Sequence, residues 1–368
     1  MNSHNQHIGG PAGEKSKPDA QPKGSLKEFL LRFMLLLALL YLFFLSVDLM
    51  SGAFKLFSSS AGYKDQFANL IAITLNPLAS LCLGVLMTAT LQSSSTTTSM
   101  IVAAVATGQV PIAGAIPMIM GANIGTTVTS TLVALGHVTQ RKEFGRAFSA
   151  ATVHDFFNLL SVLILLPLEI MTGFLEKFAI WLTHFFHNVD DIEKTSSPLK
   201  TIIKPVAKKI TEFMEWIPGD LTPFLQLIFA LALLMVVLKY LSRNLREVIS
   251  GRIEILVNGY LFARTWRALV IGTIITILVQ SSSISTSIIV PMVAGGIFTL
   301  HQVFPFLLGA NIGTTITALL AAMSLLGSDK GFDALSIALV HLSFNLCGTF
   351  IFILKSPRKL PIFLAEKI

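Results

Sequence analysis

Charge is what this chain has least of. Only 13% of its 368 residues are Asp, Glu, Lys or Arg, while 53% are hydrophobic, against about a quarter charged in a soluble domain. That balance excludes an ordinary globular surface and points to an all-α polytopic membrane protein. Cysteine is nearly absent too: Cys82 and Cys347 both sit in apolar stretches, so a disulfide framework is not expected and cysteine says nothing about compartment. Acidic residues are outnumbered, 20 against 27 basic, for a net charge of +7. Lysine and arginine gathering in cytoplasmic loops accounts for this excess, and no nucleic-acid partner is read from it. Residues 1–25 lack the apolar core and small-residue cleavage site of a signal peptide. They are polar, with Pro, Gly and Lys, and are expected to be a disordered cytosolic tail.

What the chain does have is long apolar runs. Phe29 to Val47 holds one charge, Arg32, and Leu221 to Leu238 holds none, each near the roughly 20 residues that cross a bilayer. Spans are expected from about Leu26 to Val47, from Phe67 to Leu91 with a kink at Pro77, from Phe148 to Ile170, from Pro223 to Tyr240 and from Ala334 to Leu354. Lys15, Lys17, Lys23 and Lys27 before the first span, and Lys355, Arg358 and Lys359 after the last, put both termini in the cytoplasm. The domain reading is a tail (1–25), a first membrane repeat (26–172), an extracytoplasmic linker (173–221), a second repeat (222–355) and a cytosolic tail (356–368).

The repeats rest on a duplicated polar sentence. Gln92-Ser93-Ser94-Ser95, with Thr98 and Ser99, leads to Gly121-Ala122-Asn123-Ile124-Gly125-Thr126-Thr127. Gln280-Ser281-Ser282-Ser283, with Thr286 and Ser287, leads to Gly309-Ala310-Asn311-Ile312-Gly313-Thr314-Thr315. The offset is 188 both for the glutamines (280 minus 92) and for the asparagines (311 minus 123). Around each motif, Gly and Pro are too dense for plain spans, which implies broken or re-entrant helices. The loop after the first GANIGTT is basic (Arg141, Lys142, Arg146) and the loop after the second is not (Asp329, Lys330, Asp333). The two repeats are therefore expected to be inverted in the membrane, with a site at their interface, the architecture of alternating-access carriers. A third echo pairs His154 and Asn158 with His341 and Asn345.

Hydroxyl and amide oxygens without fixed charge can ligate a hard cation and hydrogen-bond an oxyanion beside it. Broken helices add amides at an N-terminus for the anion and carbonyls at a C-terminus for the cation. The glycines of GANIGTT are expected to permit close backbone approach and a chain break there. Small residues can also serve only close helix packing, but two copies each carrying Gln, three Ser, an Asn and two Thr argue for a site. His154, His341, Asn158 and Asn345 read as helix-to-helix hydrogen bonds. Asp155 has no counterpart, since Leu342 stands there; it is either paired with a neighbouring His or Arg146, or an ion ligand. Phenylalanine, 27 residues, reads as lipid-facing bulk. The Ser runs have no His or Lys base at local spacing, and there is no Walker-type loop, which argues against an enzyme and against ATP as the energy source.

These motifs, with Ala150 to Asn158 and Leu159 to Leu163, resemble the type II sodium-dependent phosphate cotransporter family. The likeness runs from about Leu26 to Leu354 and is strongest from Gln92 to Pro167; the short tails and the cysteine-free outer loop resemble a bacterial member. The resemblance implies a multi-pass inner (plasma) membrane protein that is a symporter importing inorganic phosphate, with sodium ions as co-transported ligands and no further cofactor. Gln280, Ser281, Thr314 and Thr317 match a proposed sodium site, and the repeat adds Gln92, Ser93, Thr126 and Thr129. Ser94, Ser95, Asn123, Ser282, Ser283 and Asn311 are the phosphate candidates. Thr139-Gln140-Arg141 stands where electrogenic members carry Gly-Asp-Arg, which favours electroneutral transport. The rival reading is a passive phosphate channel or a phosphate exporter on the same scaffold. Oligomeric state is not fixed by the residues, and a homodimer is compatible with them.

Overall fold

The computed structural model describes residues 26–60, 62–187, 198–216, 221–249, 262 and 264–368. The expected N-terminal tail and most of the loop between the second repeat's first two helices lie outside the described residues. Among the described residues the chain is helical, with no strand.

Helix α1 (Leu26–Ser59) is a leucine- and phenylalanine-rich run that continues well past Val47, the expected end of the first span. Leu39, Phe43, Val47, Met50 and Phe54 recur at helical spacing and are buried, whereas Leu31, Met34 and Leu37 on other faces are exposed. That division is an inward stripe and a lipid-facing surface. Its partner is α10 (Thr222–Ile249), which sets Ala230, Leu234, Val237 and Leu241 against it. Gln226 Nε2 donates to the Leu49 carbonyl at 2.9 Å and Asn244 Nδ2 to the Arg32 carbonyl at 3.3 Å, so two amides of α10 tie it to the backbone of α1.

The chain then turns through α2 (Lys64–Ile73) into α3 (Pro77–Leu91), the two axes bent by 106°. Asn76 accepts from Leu78 N at 3.0 Å and Ala79 N at 3.1 Å, and Pro77 occupies the first turn. The proline thus opens a new helix where the sequence suggested a kink within one, because its missing N–H has no partner to lose at a helix start. Helices α4 (Ser94–Ala106), α5 (Ile112–Gly125), α6 (Val128–Leu135) and α7 (Arg141–Thr172) complete the first half. Arg141, Lys142 and Arg146, read as loop, form the opening turns of α7.

Gly173, at φ +62, turns the chain into α8 (Phe174–His187), whose N-terminus is capped by buried Glu169: Oε2 accepts from Leu175 N at 2.6 Å. Helix α9 (Pro198–Glu215) sets Ile203 and Ala207 inward against α1. The second half contains α11 (Thr265–Val279), α12 (Ser282–Ala294), α13 (Leu300–Ser324) and α14 (Gly331–Ile353). Thr183 of α8 bonds Ser336 of α14 at 2.9 Å, so the stretch read as a linker is partly folded into the body. The expected C-terminal tail holds α15 (Lys359–Lys367), which packs on α7 with Ile362 and Ala365 buried. Among the described residues, six helices are long and apolar enough to cross a membrane, or seven if the bent α2–α3 pair is one span.

Two helix pairs, α3 with α5 and α11 with α13, approach closely at glycines and are built alike. A methyl group on Gly121 would overlap the Leu81 carbonyl, and one on Gly309 would overlap the Leu269 carbonyl, at the same offset. The GANIGTT glycines therefore serve close helix approach. In the second copy they open no break at all, since α13 runs through the motif; in the first, only a slight interruption follows at Thr126–Thr127.

Candidate binding site between the paired motifs

The breaks lie at the glutamines. Gln92 (φ 54) and Gln280 (φ 55) are the only non-glycine residues at positive φ among the described residues. A left-handed residue that is not glycine is disfavoured by roughly 1–2 kcal/mol, and such strain persists where the surroundings over-determine it. Here the side chain does so: Gln92 Nε2 donates to the Ala89 carbonyl and Gln280 Nε2 to the Ile277 carbonyl, each at 2.6 Å. Each glutamine Oε1 then accepts from a threonine, Thr129 at 2.9 Å and Thr317 at 2.8 Å.

One residue later the backbone is extended, and Ser93 and Ser281 cap the next helix by accepting from Thr96 N at 3.2 Å and Ile284 N at 3.3 Å. Each break thus sets the carbonyl end of one helix beside the amide end of another. The partial charges at these ends are of opposite sign, so one break presents a cation-favouring pole and an anion-favouring pole within a few residues. Helices α4 and α12, each of 13 residues, are about 20 Å long and fall short of the ~30 Å hydrocarbon core. Their first residues, Ser94 and Ser282, are buried, as are Ser94 to Ser99 along α4.

The two motifs meet. Ser95 Oγ donates to the Gln280 carbonyl at 3.2 Å and lies 3.4 Å from Thr317 Oγ1. Ser130 and Thr286 hydroxyls are 3.0 Å apart across the same seam, a pair the motif reading did not single out, although Thr286 lies within the second motif. Thr126 and Thr314 hydroxyls each bond the carbonyl four residues back at 3.0 Å, leaving oxygen lone pairs free. Ser94 and Ser282 are buried, and Ser283 is half-buried. Asn123 and Asn311 are engaged elsewhere, in a lattice that joins the halves. His154 Nε2 donates to Asn311 Oδ1 at 2.6 Å, and Asn311 Nδ2 donates to Asn158 Oδ1 at 2.8 Å. His341 Nε2 lies 3.4 Å from Asn123 Oδ1, and Asn158 and Asn345 donate to the Asn123 and Asn311 carbonyls at 3.0 and 3.2 Å. The reading of these four histidines and asparagines as helix-to-helix bonds matches this geometry. Asp155 Oδ1 is buried with no hydrogen-bond partner, as is His154 Nδ1, so the expected pairing with that histidine is not made; the Thr127 hydroxyl of the first GANIGTT donates to the Ile124 carbonyl at 2.8 Å. No cluster of metal-ligating His, Cys, Asp or Glu occurs among the described residues.

The sequence profile of the Na+/Pi-cotransporter family matches residues 42–180 and 233–363, both halves of this arrangement. The chain belongs to that family. Among its relatives, the sodium-dependent phosphate transport protein 2B of Bos taurus is 34% identical over 421 residues, covering 91% of this chain and 60% of the relative. The corresponding 2A protein of Mus musculus is 33% identical over 428 residues, covering 96% and 66%. The chain thus spans about 60% of the length of the Bos taurus relative. No solved structure matches. For this cotransporter family member, the two profile segments contain both glutamine breaks and both GANIGTT motifs. The family is one of transporters, which agrees with the absence of a catalytic pattern in the sequence.

Proposed function

We propose that this chain is a sodium-coupled symporter that imports inorganic phosphate by alternating access, with the site between two repeats inverted in the membrane. The observation that carries the reading is the meeting of two identically built helix breaks, Ser95 of one half resting on the Gln280 carbonyl and Thr317 hydroxyl of the other. The cluster is rich in oxygen and free of fixed charge, which suits a sodium ion with an oxyanion beside it.

In this mechanism sodium takes the oxygens of Gln280, Ser281, Thr314 and Thr317 near the carbonyl end of α11, with Gln92, Ser93, Thr126 and Thr129 as the mirror set. Phosphate takes the hydroxyls of Ser94, Ser95, Ser282 and Ser283 at the amide ends of α4 and α12. Since the amides of Asn123 and Asn311 are already engaged, those residues hold the helices that carry the ligands. Sodium offsets the charge of phosphate, so the loaded site crosses the membrane at lower electrostatic cost. The repeated glycine packing at one offset and the unequal loop charges support the inversion. The gap between the profile segments, 181–232, supports a linker between the repeats.

The test is radiolabelled phosphate uptake in proteoliposomes with an imposed sodium gradient. Accumulation against the phosphate gradient is expected, and Gln280→Ala or Ser282→Ala is expected to abolish it with the protein still inserted. Downhill flux independent of sodium would make the chain a channel, and unchanged uptake in both variants would remove these residues from the site.

A further inference from the structure

The two half-sites are built alike but are not in the same state. Gln280 and Thr317 are 7% and 1% exposed, and Ser95 covers them. Their counterparts are open: Gln92 is exposed, Thr129 and Ser283 are half-buried. The His/Asn lattice departs from symmetry in the same sense. Asn311, in the shut half, is held at 2.6 Å by His154 and at 2.8 Å by Asn158. Asn123, in the open half, is met by His341 and Asn345 only at 3.4 and 3.5 Å.

We infer that His154 and His341 are positioning residues that set which half-site is shut, each by holding the asparagine of the opposite half's GANIGTT. The link is mechanical. Asn311 and Thr317 lie on one unbroken helix, α13, so fixing Asn311 fixes the threonine that closes on Gln280 and Ser95. Asn123 and Thr129 lie on either side of the interruption between α5 and α6, and the loosely held asparagine accompanies an open threonine.

The lattice also carries the acceptor that the opposite arrangement needs. The mirror image of the Asn311-to-Asn158 bond is a bond from Asn123 Nδ2 to Asn345 Oδ1. In this state Asn123 Nδ2 donates instead to the Ile119 carbonyl at 3.0 Å, and Asn345 Oδ1 is buried with no partner. A buried unpaired amide oxygen is destabilising, and the exchange of arrangements transfers that vacancy from one half to the other at little net cost. All six side chains of the lattice are at most 4% exposed, so no water-facing group is needed for the swap.

The meaning of this inference rests on the alternation proposed above, but its test does not. Hydrogen–deuterium exchange is read by mass spectrometry on the full chain in detergent, without sodium or phosphate, comparing the backbone at 280–283 with that at 92–95. The wild-type protein is expected to exchange more slowly at 280–283. His154→Ala is expected to speed exchange at 280–283 by roughly threefold to tenfold, as for loss of one buried hydrogen bond, with 92–95 unchanged. His341→Ala and Asn345→Leu are expected to leave 280–283 slow, and His154→Gln to restore most of the protection. Equal changes in both segments, no change at 280–283 in His154→Ala, or faster exchange at 280–283 in His341→Ala would each overturn the inference. So would failure of His154→Gln and His341→Ala alike to fold, which would make the lattice a requirement for folding alone. Absence of uphill uptake by the wild-type protein would remove the symport reading and leave the exchange result standing.

Discussion

The two halves of this protein share a scaffold and differ in how that scaffold is closed. In both, a glutamine in the left-handed region breaks the chain, a serine caps the helix that follows, and a threonine hydroxyl bonds the glutamine oxygen. In the second half this set is sealed by Ser95 from across the interface, and α13 passes beneath it without interruption. In the first half Gln92 is exposed and the corresponding helix is divided at Thr126–Thr127. The lesson is that local sequence dictates the break, while closure is a property of contacts between halves.

The largest effect should come from the shared scaffold. Gly309→Ala and Gly121→Ala drive a methyl group into a neighbouring backbone carbonyl, an overpacking expected to destabilise each by about 3 kcal/mol. Thermal unfolding in detergent should show similar losses for the two. Gly145→Ala, where nothing lies within 4 Å, should change stability by less than about 0.5 kcal/mol. A large loss at only one of the paired glycines would break the claim that the halves pack alike.

The next effect should differ between halves. Thr317→Val removes a buried hydroxyl that bonds Gln280 and faces Ser95, a loss of about 2 kcal/mol. Thr129→Val removes a half-buried hydroxyl with one exposed partner, and about 0.5 kcal/mol is expected where water can replace the bond. Equal destabilisation in chemical or thermal melts would mean that the two half-sites are equally closed in solution.

The smallest effect concerns the ion pair of Lys55 with Asp329, which ties α1 to the turn before α14. Its side chains are 47% and 77% exposed, so Lys55→Ala should lower stability by about 0.5 kcal/mol or less, and by less still in high salt. A larger, salt-independent loss would show that this tie belongs to the closure of the second half.

Much of this was legible in the residues. That helices near the motifs are broken, the glutamine and serine motifs, and the role of His154, His341, Asn158 and Asn345 as interhelical bonds follow from spacing and the cost of bare polar groups in lipid; that the breaks fall at Gln92 and Gln280 does not. Other features were not. The glycines of GANIGTT read as allowing both close approach and a chain break because glycine is both small and permissive, and only the nearness of the Leu81 and Leu269 carbonyls shows that smallness is what is used. The seam between Ser130 and Thr286 joins residues distant in sequence, for which no local pattern exists.

By itself the sequence determined that the chain is helical and membrane-bound, that it is doubled, and that each copy carries a charge-free oxygen cluster at a helix break. Composition, hydrophobic run length and motif offset are local quantities that survive without a fold. Only the tertiary structure decided that one cluster is shut and the other open, and which asparagine each histidine holds. The Gln-Ser-Ser-Ser and GANIGTT motifs are identical in the two copies, so the motifs alone give both the same local preference, and the difference between them comes from the flanking residues and the contacts each copy makes with the rest of the molecule.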